Sequence, residues 1–330
     1  MPEAYKKGKL QSDVYHENKI SPFVLLKKWG TIIGFIVLFI TFSILRPDAF
    51  PQWNNLRNII EQVSTLAIVS AGVTIVMITG DFDLSVGSLA SLVGIVTALL
   101  LKSGTSTLTG IVAGLVLGTL CGFLNGVLVA YGGLSAFVAT LATMTAYGGL
   151  SLLVSNGATI FGLPVVFQRL GQGSLGPVPI PVFFMIFVVF IVWIILEQTT
   201  YGRRLYAIGG NIEASYLSGI STKRARLFAF GLSGLAAALG GIILTSRLFS
   251  AHPQAGNPFM LNAAAAVFLG MTVFREGEPH IFGTLLGVLI MGVLGNGLNI
   301  LGVNTYVQSI LTGVIIVFAV LLSSLAARKW

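Results

Sequence analysis

Apolar runs of helical length alternate with short polar connections along the chain from residue 30 onward. A helix needs about 20 predominantly apolar residues to cross a membrane, so these runs predict transmembrane α-helices. The run at 260–271 is too short to cross alone, and we interpret it as a broken or re-entrant segment extended by its neighbours. The predicted spans are 30–45, 59–79, a run ending at Leu101, 108–129, 136–154, 181–196, 228–244, 260–271, 281–300 and 307–325.

The positive charges are concentrated at the chain ends and in a few connections. Six lysines precede the first span, and Arg328 and Lys329 follow the last one. Lys and Arg accumulate on the cytoplasmic side of membrane proteins, so we expect ten spans with both termini in the cytoplasm. The expected organisation is a cytoplasmic tail over 1–28, an all-α membrane domain over 29–326 and a cytoplasmic end over 327–330.

The composition excludes most other classes of protein. Only 9% of the 330 residues are charged and 55% are hydrophobic, whereas soluble domains carry about 25% charged residues. The net charge of +8 comes from clusters at loops and termini, and it does not indicate nucleic-acid binding. The single cysteine, Cys121, leaves no internal disulfide and no thiol metal site. We expect a multi-pass protein of the lipid bilayer without metal or cofactor.

The sequence contains no catalytic set of residues. His16, His252 and His280 do not lie at metal-ligand spacing with one another or with the cysteine. The phosphate-binding pattern G-x-x-x-x-G-K-[ST] is also missing. The chain is therefore not predicted to be an enzyme, and ATP hydrolysis would need a separate polypeptide.

A polar, basic segment at 201–220, YGRRLYAIGGNIEASYLSGI, separates two strongly apolar runs. It contains Arg203, Arg204 and Glu213, and three further cations follow it by Arg226. A short basic segment between two spans is expected at the cytoplasmic face. We interpret 198–226 as the loop that a soluble partner binds.

The motif GDFDLSVGS at 80–88 places two acids between two predicted spans. Ionisable residues near membrane depth are usually functional, which favours a role in gating or in contact with the solute. Asp83 and Ser85 are also good helix N-cap residues, so the motif could instead serve folding at a hydrated inner turn. Glu61 is expected to be solvated near the outer end of its span. The gating candidates are Asp81, Asp83, Ser85, Gly87 and Ser88.

Two spans share a dense glycine pattern. Glycine recurs at every fourth position from Gly110 to Gly126, the span at 281–300 carries a looser version, and a Leu-Asn pair lies near the end of each. These spans are five apart and run in opposite directions, which suggests an inverted repeat. Close helix packing alone also explains the glycines.

A solute path through the bundle should be lined by small, amide or hydroxyl groups. Such groups can equally form hydrogen bonds between helices. The path candidates are Asn125, Thr140, Thr143, Asn262, Asn296 and Asn299.

GDFDLSVGS, LSAFVATLATM at 134–144 and the segment at 201–220 together resemble the permease subunits of bacterial ABC importers for monosaccharides. These are the ribose, xylose, arabinose, rhamnose and autoinducer-2 group, which is more distantly related to branched-chain amino-acid permeases. The resemblance extends from the first span to the last. The chain departs from the family's glycine-rich block at 270–284, where GMTVFREGEPHIFGT introduces bulk and charge.

The resemblance implies an alternating-access pore in the bacterial inner membrane. Its partners would be a second permease copy or paralogue, two cytoplasmic ATPase subunits and an external sugar-binding protein. The basic segment would be the coupling loop that docks on an ATPase. The residues carried over to that role are Arg203, Arg204, Gly210, Asn211, Glu213, Ala214, Ser218 and Gly219.

Three alternatives remain open at this stage. A branched-chain amino-acid importer would need fixed charges or half-helix termini for a zwitterion, and the spans have almost no charges. An ion-coupled secondary transporter would need buried carboxylates, for which only Asp81 and Asp83 are candidates. A membrane scaffold is disfavoured by the glycine density.

Overall fold

The computed structural model describes residues 22–273 and 277–327, and within them the chain is almost entirely helical. The all-α class is therefore confirmed, with one short hairpin in which β1 (Ser174–Leu175) pairs antiparallel with β2 (Val178–Pro179). A π-helical segment, Ile194–Gln198, extends α7. The helices are α1 Pro22–Leu45, α2 Trp53–Ile78, α3 Val86–Lys102, α4 Thr107–Ala130, α5 Ala136–Ser155, α6 Val165–Gln172, α7 Ile180–Trp193, α8 Thr200–Gly210, α9 Ile212–Leu217, α10 Thr222–Leu248, α11 Pro258–Gly270, α12 Ile281–Ile300 and α13 Thr305–Ala327.

Six helices of the described chain are long and apolar enough to cross a membrane, namely α2, α4, α5, α7 with its π-helical extension, α10 and α12. Shorter apolar stretches lie in α1, α3, α11 and α13. Together these helices coincide in position with the ten predicted runs. Helix α1 begins at Pro22, inside the segment predicted as a tail, whereas residues 1–21 and 328–330 of the two predicted ends lie outside the described residues.

The apolar helices pack as two rows. In the first row α4 packs on α10, α10 on α2 and α2 on α12; in the second, α5 packs on α3, α3 on α11 and α11 on α13. Helices α10 and α2 also contact α3 and α11, which joins the rows. Helix α3 is consequently enclosed, and every residue from 86 to 95 is buried.

The glycine stripe of α4 lies against α10 with backbone touching backbone. A Cβ atom on Gly122 would collide with the carbonyl of Phe230 and come within 2.9 Å of the Gly234 Cα. A Cβ on Gly234 would in turn collide with the carbonyl of Gly118. The packing interpretation of the stripe is thus confirmed, because any larger residue would push the two helices apart.

Helix α11 is short because the chain before it, 251–257, is not helical and folds back into the protein. The Gly256 N–H donates to Ser91 Oγ at 2.9 Å, in the second turn of α3. At this level α3 also meets Gly241, which lies seven residues, or about 10 Å, before the end of α10. This geometry agrees with the expected re-entrant segment.

Candidate functional site

The predicted coupling loop, 198–226, contains the two short helices α8 and α9 and the start of α10. We call this segment the knob. Thr199 Oγ1 accepts from the Gly202 N–H and caps α8, and Asn211 Oδ1 accepts from the Ala214 N–H at 2.9 Å and caps α9. Gly219 turns the chain after α9 with a φ of 81°, a conformation that glycine adopts without strain. The other residues proposed for coupling are exposed on this knob: Arg203, Arg204, Gly210, Glu213 and Ser218.

Helix α9 also exposes apolar side chains that the sequence did not single out. Tyr216 is 68% exposed, Leu217 78% and Ile212 45%. The coupling residues were predicted from their charge and from the family resemblance. An apolar residue beside a membrane span carries no comparable signal in the sequence. Large apolar groups at a polar tip are typical of protein-binding surfaces.

Helix α8 is fixed firmly to the bundle. Its Leu205 and Ile208 side chains are buried, and a Cβ on Gly209 would collide with the carbonyl of Ile78 at the end of α2. The Tyr201 hydroxyl donates to the Ala225 carbonyl at 2.8 Å, and burial raises the pKa of this phenol. A displacement of the knob must therefore move the end of α2 at Ile78 and the start of α10.

An ion pair joins the coupling loop to the GDFDLSVGS motif. Arg226, at the start of α10, donates from both Nε and Nη2 to the two carboxylate oxygens of Asp81, each at 2.6 Å. Thr79 Oγ1 adds a third hydrogen bond to Asp81 at 3.0 Å. A bidentate pair of this kind fixes both distance and orientation. Both residues stand out in the sequence as charged positions, but their pairing depends on how α10 packs against α2.

Asp83 is buried, which corrects the expectation of a hydrated inner turn. It is 3% exposed and accepts three hydrogen bonds, from the Ser85 N–H at 3.0 Å, Ser85 Oγ at 2.7 Å and Ser233 Oγ at 2.8 Å. These donors replace water around the carboxylate. Asp83 thus binds the N–H of Ser85, which precedes α3, whereas the Ser85 side chain makes no capping bond to the helix.

The rest of the motif packs α3 into the protein. Ser85 Oγ also accepts from Asn125 Nδ2 at 2.8 Å, which ties α3 to α4. A Cβ on Gly87 would approach the Gly256 carbonyl within 2.7 Å, and Ser88 is only 8% exposed. The motif therefore connects α2, α3, α4 and α10 at one level of the bundle.

A cavity of about 410 Å³ lies between the motif and α8. Asp81 and Phe82 form one wall, Tyr206 another, and the connection after α11 contributes Glu278. The Tyr206 hydroxyl donates to the Pro279 carbonyl at 3.2 Å, so the divergent 270–284 segment packs beside the coupling loop. Three residues of that segment, 274–276, lie outside the described residues.

The six path candidates do not line one channel. Thr140 and Thr143 each donate to a carbonyl of their own helix, α5. Asn296 exchanges two amide hydrogen bonds of 2.9 Å with Asn55, and Asn125 bridges helices as described above. These contacts are of the interhelical and capping kind that polar groups make in membranes.

The remaining two path candidates have different surroundings. Asn299 is exposed and accepts from Gln308 at 2.9 Å. Asn262 lines a second cavity at the opposite end of α2 and α11. Glu61, expected to be solvated, has a side chain that is only 15% exposed and accepts from Arg57 Nε at 3.3 Å.

The chain matches a known protein family over most of its length. Residues 55–320 match the family described as branched-chain amino acid transport system / permease component. The chain belongs to this family. No solved structure matched the permease.

The permease also resembles named sugar permeases over most of its length. It is 43% identical over 300 residues to the ribose import permease protein RbsC of Bacillus subtilis strain 168, covering 90% of this chain and 93% of that one. For RbsC of Escherichia coli K12 the identity is 41% over 303 residues, covering 91% and 94%. For the D-allose transport system permease protein AlsC of Escherichia coli K12 it is 33% over 302 residues, covering 91% and 93%. The resemblance inferred from the three motifs is confirmed.

Proposed function

We propose that the permease is the membrane-spanning subunit of an ATP-driven importer that moves a monosaccharide across the bacterial inner membrane by alternating access. The observation that carries this proposal is the rigid link from an exposed knob, 198–226, to the buried motif through the pair of Asp81 and Arg226. Relatives named as ribose and D-allose permeases supply the substrate class.

The proposed topology has ten spans with both termini in the cytoplasm. The knob and the 270–284 connection lie together at the inner face, and the 155–179 connection, with its single charge at Arg169, lies outside. The short helices α3 and α11 complete their crossings with non-helical chain that is buried in protein, which membranes tolerate.

An inverted repeat accounts for the packing of the bundle. Exchanging α2 with α10, α3 with α11, α4 with α12 and α5 with α13 leaves the set of packed pairs among these eight helices unchanged. The glycines follow the same rule: Gly114 lies against α3, as its counterpart Gly287 lies against α11. Two such halves can tilt against each other around a fixed centre, as transporters with inverted repeats do.

Coupling follows from the contacts of the knob. Its cations and exposed apolar residues would bind an ATPase subunit, and closure of the ATPases would pull α8. Since α8 bears on Ile78 and Arg226 holds Asp81, the pull reaches α2 and α10 together. The other partners in this proposal are a second permease copy or paralogue and an external sugar-binding protein.

A secondary transporter working alone is the less favoured alternative. Asp83 is buried, as such a mechanism would require. However, Asp83 already accepts hydrogen bonds from the Ser85 N–H, Ser85 Oγ and Ser233 Oγ, which commits it to holding α3 and α10 together. Asp81 is already paired with Arg226.

Reconstitution in liposomes tests the proposal. Permease, cognate ATPase and binding protein are assembled with ATP on the side of the membrane that carries the ATPase. Uptake of labelled D-ribose, D-allose and leucine is then measured separately. Uptake of a monosaccharide that requires ATP supports the proposal. Uptake of leucine alone would identify an amino-acid importer, and uptake driven by a proton or sodium gradient without ATPase would identify a secondary transporter.

A further inference from the structure

An apolar groove of about 350 Å³ lies on the side of the bundle between α7 and α10. The buried residues Gly72 and Ile75 of α2 form its floor, and Leu115 of α4 lies at its edge. The walls come from α7 with its π-helical extension and from α10, and consist of Phe184, Phe187, Val188, Ile191, Val192, Ile195, Leu232, Leu235, Ala236 and Leu239. Among the described residues, none that lines the groove carries a polar side chain, so a sugar or an ion would find no side chain to bind there.

The groove exists because α7 and α10 both pack on α2, without an extensive contact of their own in the described chain. Helix α10 lies close to α2, since a Cβ on Gly72 would come within 2.6 Å of the Ala236 Cβ. At the rim, Phe187, Ile191 and Leu235 are 62%, 38% and 37% exposed. In a membrane this rim faces hydrocarbon, and an unfilled groove would lose dispersion contacts along its lining.

The dimensions of the groove select a narrow occupant. From Phe184 to Ile195 it extends over eleven residues, or about 16 Å of helix. The volume divided by this length gives a cross-section of roughly 20 Å², whereas a helix about 10 Å wide with its side chains has a section of roughly 80 Å². The groove is therefore wide enough for a hydrocarbon chain but too narrow for a helix of a second permease copy.

The exposed face of α10 continues from the groove to an unpaired cation. Phe228 and Arg224 precede Leu232 by four and eight residues, which places them on the same face of the helix. Phe228 is 52% exposed. Arg224 is also exposed and forms no hydrogen bond or ion pair with a residue that the structure describes. Since helical side chains tilt toward the N-terminus, the guanidinium can extend from the apolar face toward the membrane surface.

We propose that the groove holds one acyl chain of an anionic phospholipid from the inner leaflet, and that the phosphate of this lipid binds Arg224. In the proposed topology Arg224 lies at the cytoplasmic surface, where anionic lipids attract basic residues. The depth agrees, because one leaflet of the hydrocarbon core is about 15 Å thick, close to the length of the groove. The site goes beyond the transport of a solute and uses only the topology of the proposed function.

Lipid titration of purified full-length permease tests the headgroup contact. Delipidated protein in detergent is titrated with phosphatidylglycerol, while native mass spectrometry counts bound lipids and thermal unfolding is followed. One lipid should bind and raise the Tm, and inorganic phosphate should not raise it. Phosphatidylcholine with the same chains should bind about 5- to 10-fold more weakly, as expected when one charge interaction with a basic residue is lost.

Variants at the start of α10 separate a specific contact from general charge. Arg224→Gln should weaken phosphatidylglycerol binding by about 5- to 10-fold and leave phosphatidylcholine binding unchanged, and Arg224→Lys should retain most of the affinity. The matched control is Lys223→Gln, which removes the neighbouring cation, located 5.9 Å from the centroid of the Tyr131 ring. This control should change the affinity less than twofold.

A second pair of variants tests the chain contact. Leu235→Trp adds bulk at the rim of the groove and should weaken the binding of both lipids by about 4- to 15-fold, the effect of excluding one or two methylene groups from apolar surroundings. Leu153→Trp makes the same change on the exposed face of α5, outside the lining, and should leave the affinity unchanged.

Several outcomes would overturn the lipid site. Unchanged phosphatidylglycerol binding in either Arg224→Gln or Leu235→Trp refutes it, and so does phosphatidylcholine binding as tight as that of phosphatidylglycerol. Equal weakening by Lys223→Gln would reduce the effect to general surface attraction. A disulfide between two copies through Leu235→Cys, formed in native membranes with Cys121→Ser, would make the groove an interface between copies. None of these measurements involves import, so a failure of sugar uptake would refute the proposed function and leave the lipid site standing.

Discussion

The ion pair between Asp81 and Arg226 should transmit the ATPase stroke to the bundle. We consider Arg226→Gln, Asp81→Asn and the double variant. Asp81→Asn keeps the size of its side chain and Arg226→Gln keeps a shorter polar one, so neither change introduces bulk between α10 and α2. Only the bidentate charge interaction is lost, which makes the three variants a thermodynamic cycle.

The magnitude follows from burial. The Arg226 side chain is 17% exposed and the Asp81 side chain 10%, so the pair lies between a surface pair worth less than about 1 kcal/mol and a buried pair whose disruption costs about 3–5 kcal/mol. We expect each single variant to lose about 2–3 kcal/mol of stability. The double variant should lose clearly less than the sum, with a coupling energy of about 1–2 kcal/mol.

Two assays follow the cycle. Thermal unfolding in detergent gives the stability difference, and the ratio of sugar imported to ATP hydrolysed in liposomes gives the coupling. The single variants should hydrolyse ATP while importing several-fold less sugar per ATP. A coupling energy below about 0.5 kcal/mol together with an unchanged import ratio would refute the transmission role. Reduced stability with an unchanged ratio would leave the pair a purely structural one.

Three further predictions concern single positions, and a fourth concerns the topology of the segment 201–226. Gly209→Ala should lower import per ATP at least several-fold because its methyl group collides with the end of α2; normal import would contradict the tight seat of α8. Gly122→Ala should lower the free energy of unfolding by about 1–3 kcal/mol, because the added methyl group overpacks the contact with α10. Gly149→Ala, where the added Cβ meets open space, should leave the free energy of unfolding unchanged. Glu213→Gln should reduce ATPase-dependent import without changing the amount of permease in the membrane. Cysteines introduced at 201–226 should react with impermeant reagents only from the cytoplasmic side, and labelling from outside would overturn the topology.

The hydrophobic pattern was sufficient to predict the helices but not their lengths within the bilayer. Runs of about 20 apolar residues became α4, α5 and α12 almost residue for residue. The run at 260–271 showed that something was irregular there, yet the contact of Gly256 with α3 could not be read from it. That contact joins residues 165 positions apart, and it depends on the packing of two helices that only the folded chain defines.

The candidate site was predicted unevenly for a similar reason. Asn211 and Gly219 were marked by the resemblance as coupling residues, and the structure shows that one caps α9 and the other forms a turn. Each aspartate also has one partner on α10, Arg226 for Asp81 and Ser233 for Asp83, about 150 positions later, and no feature near the motif predicts these two contacts. The amides were ambiguous because interhelical bonding and a solute path demand the same residue types. The structure places Asn262 at a cavity.

In the proposed importer, a barrier to the solute would lie between the two cavities. Both border the same pair of helices, α2 and α11, at opposite ends, and between them residues 263–267 are buried and Thr74 is hydrogen-bonded to Thr284 at 2.8 Å. Packed interiors do not compress, so this barrier can open only if the helices slide or tilt. Four consecutive alanines, 263–266, give α11 a smooth surface that suits such shear. Because the coupling knob bears on the end of α2 at Ile78, its movement would be passed to this packed region.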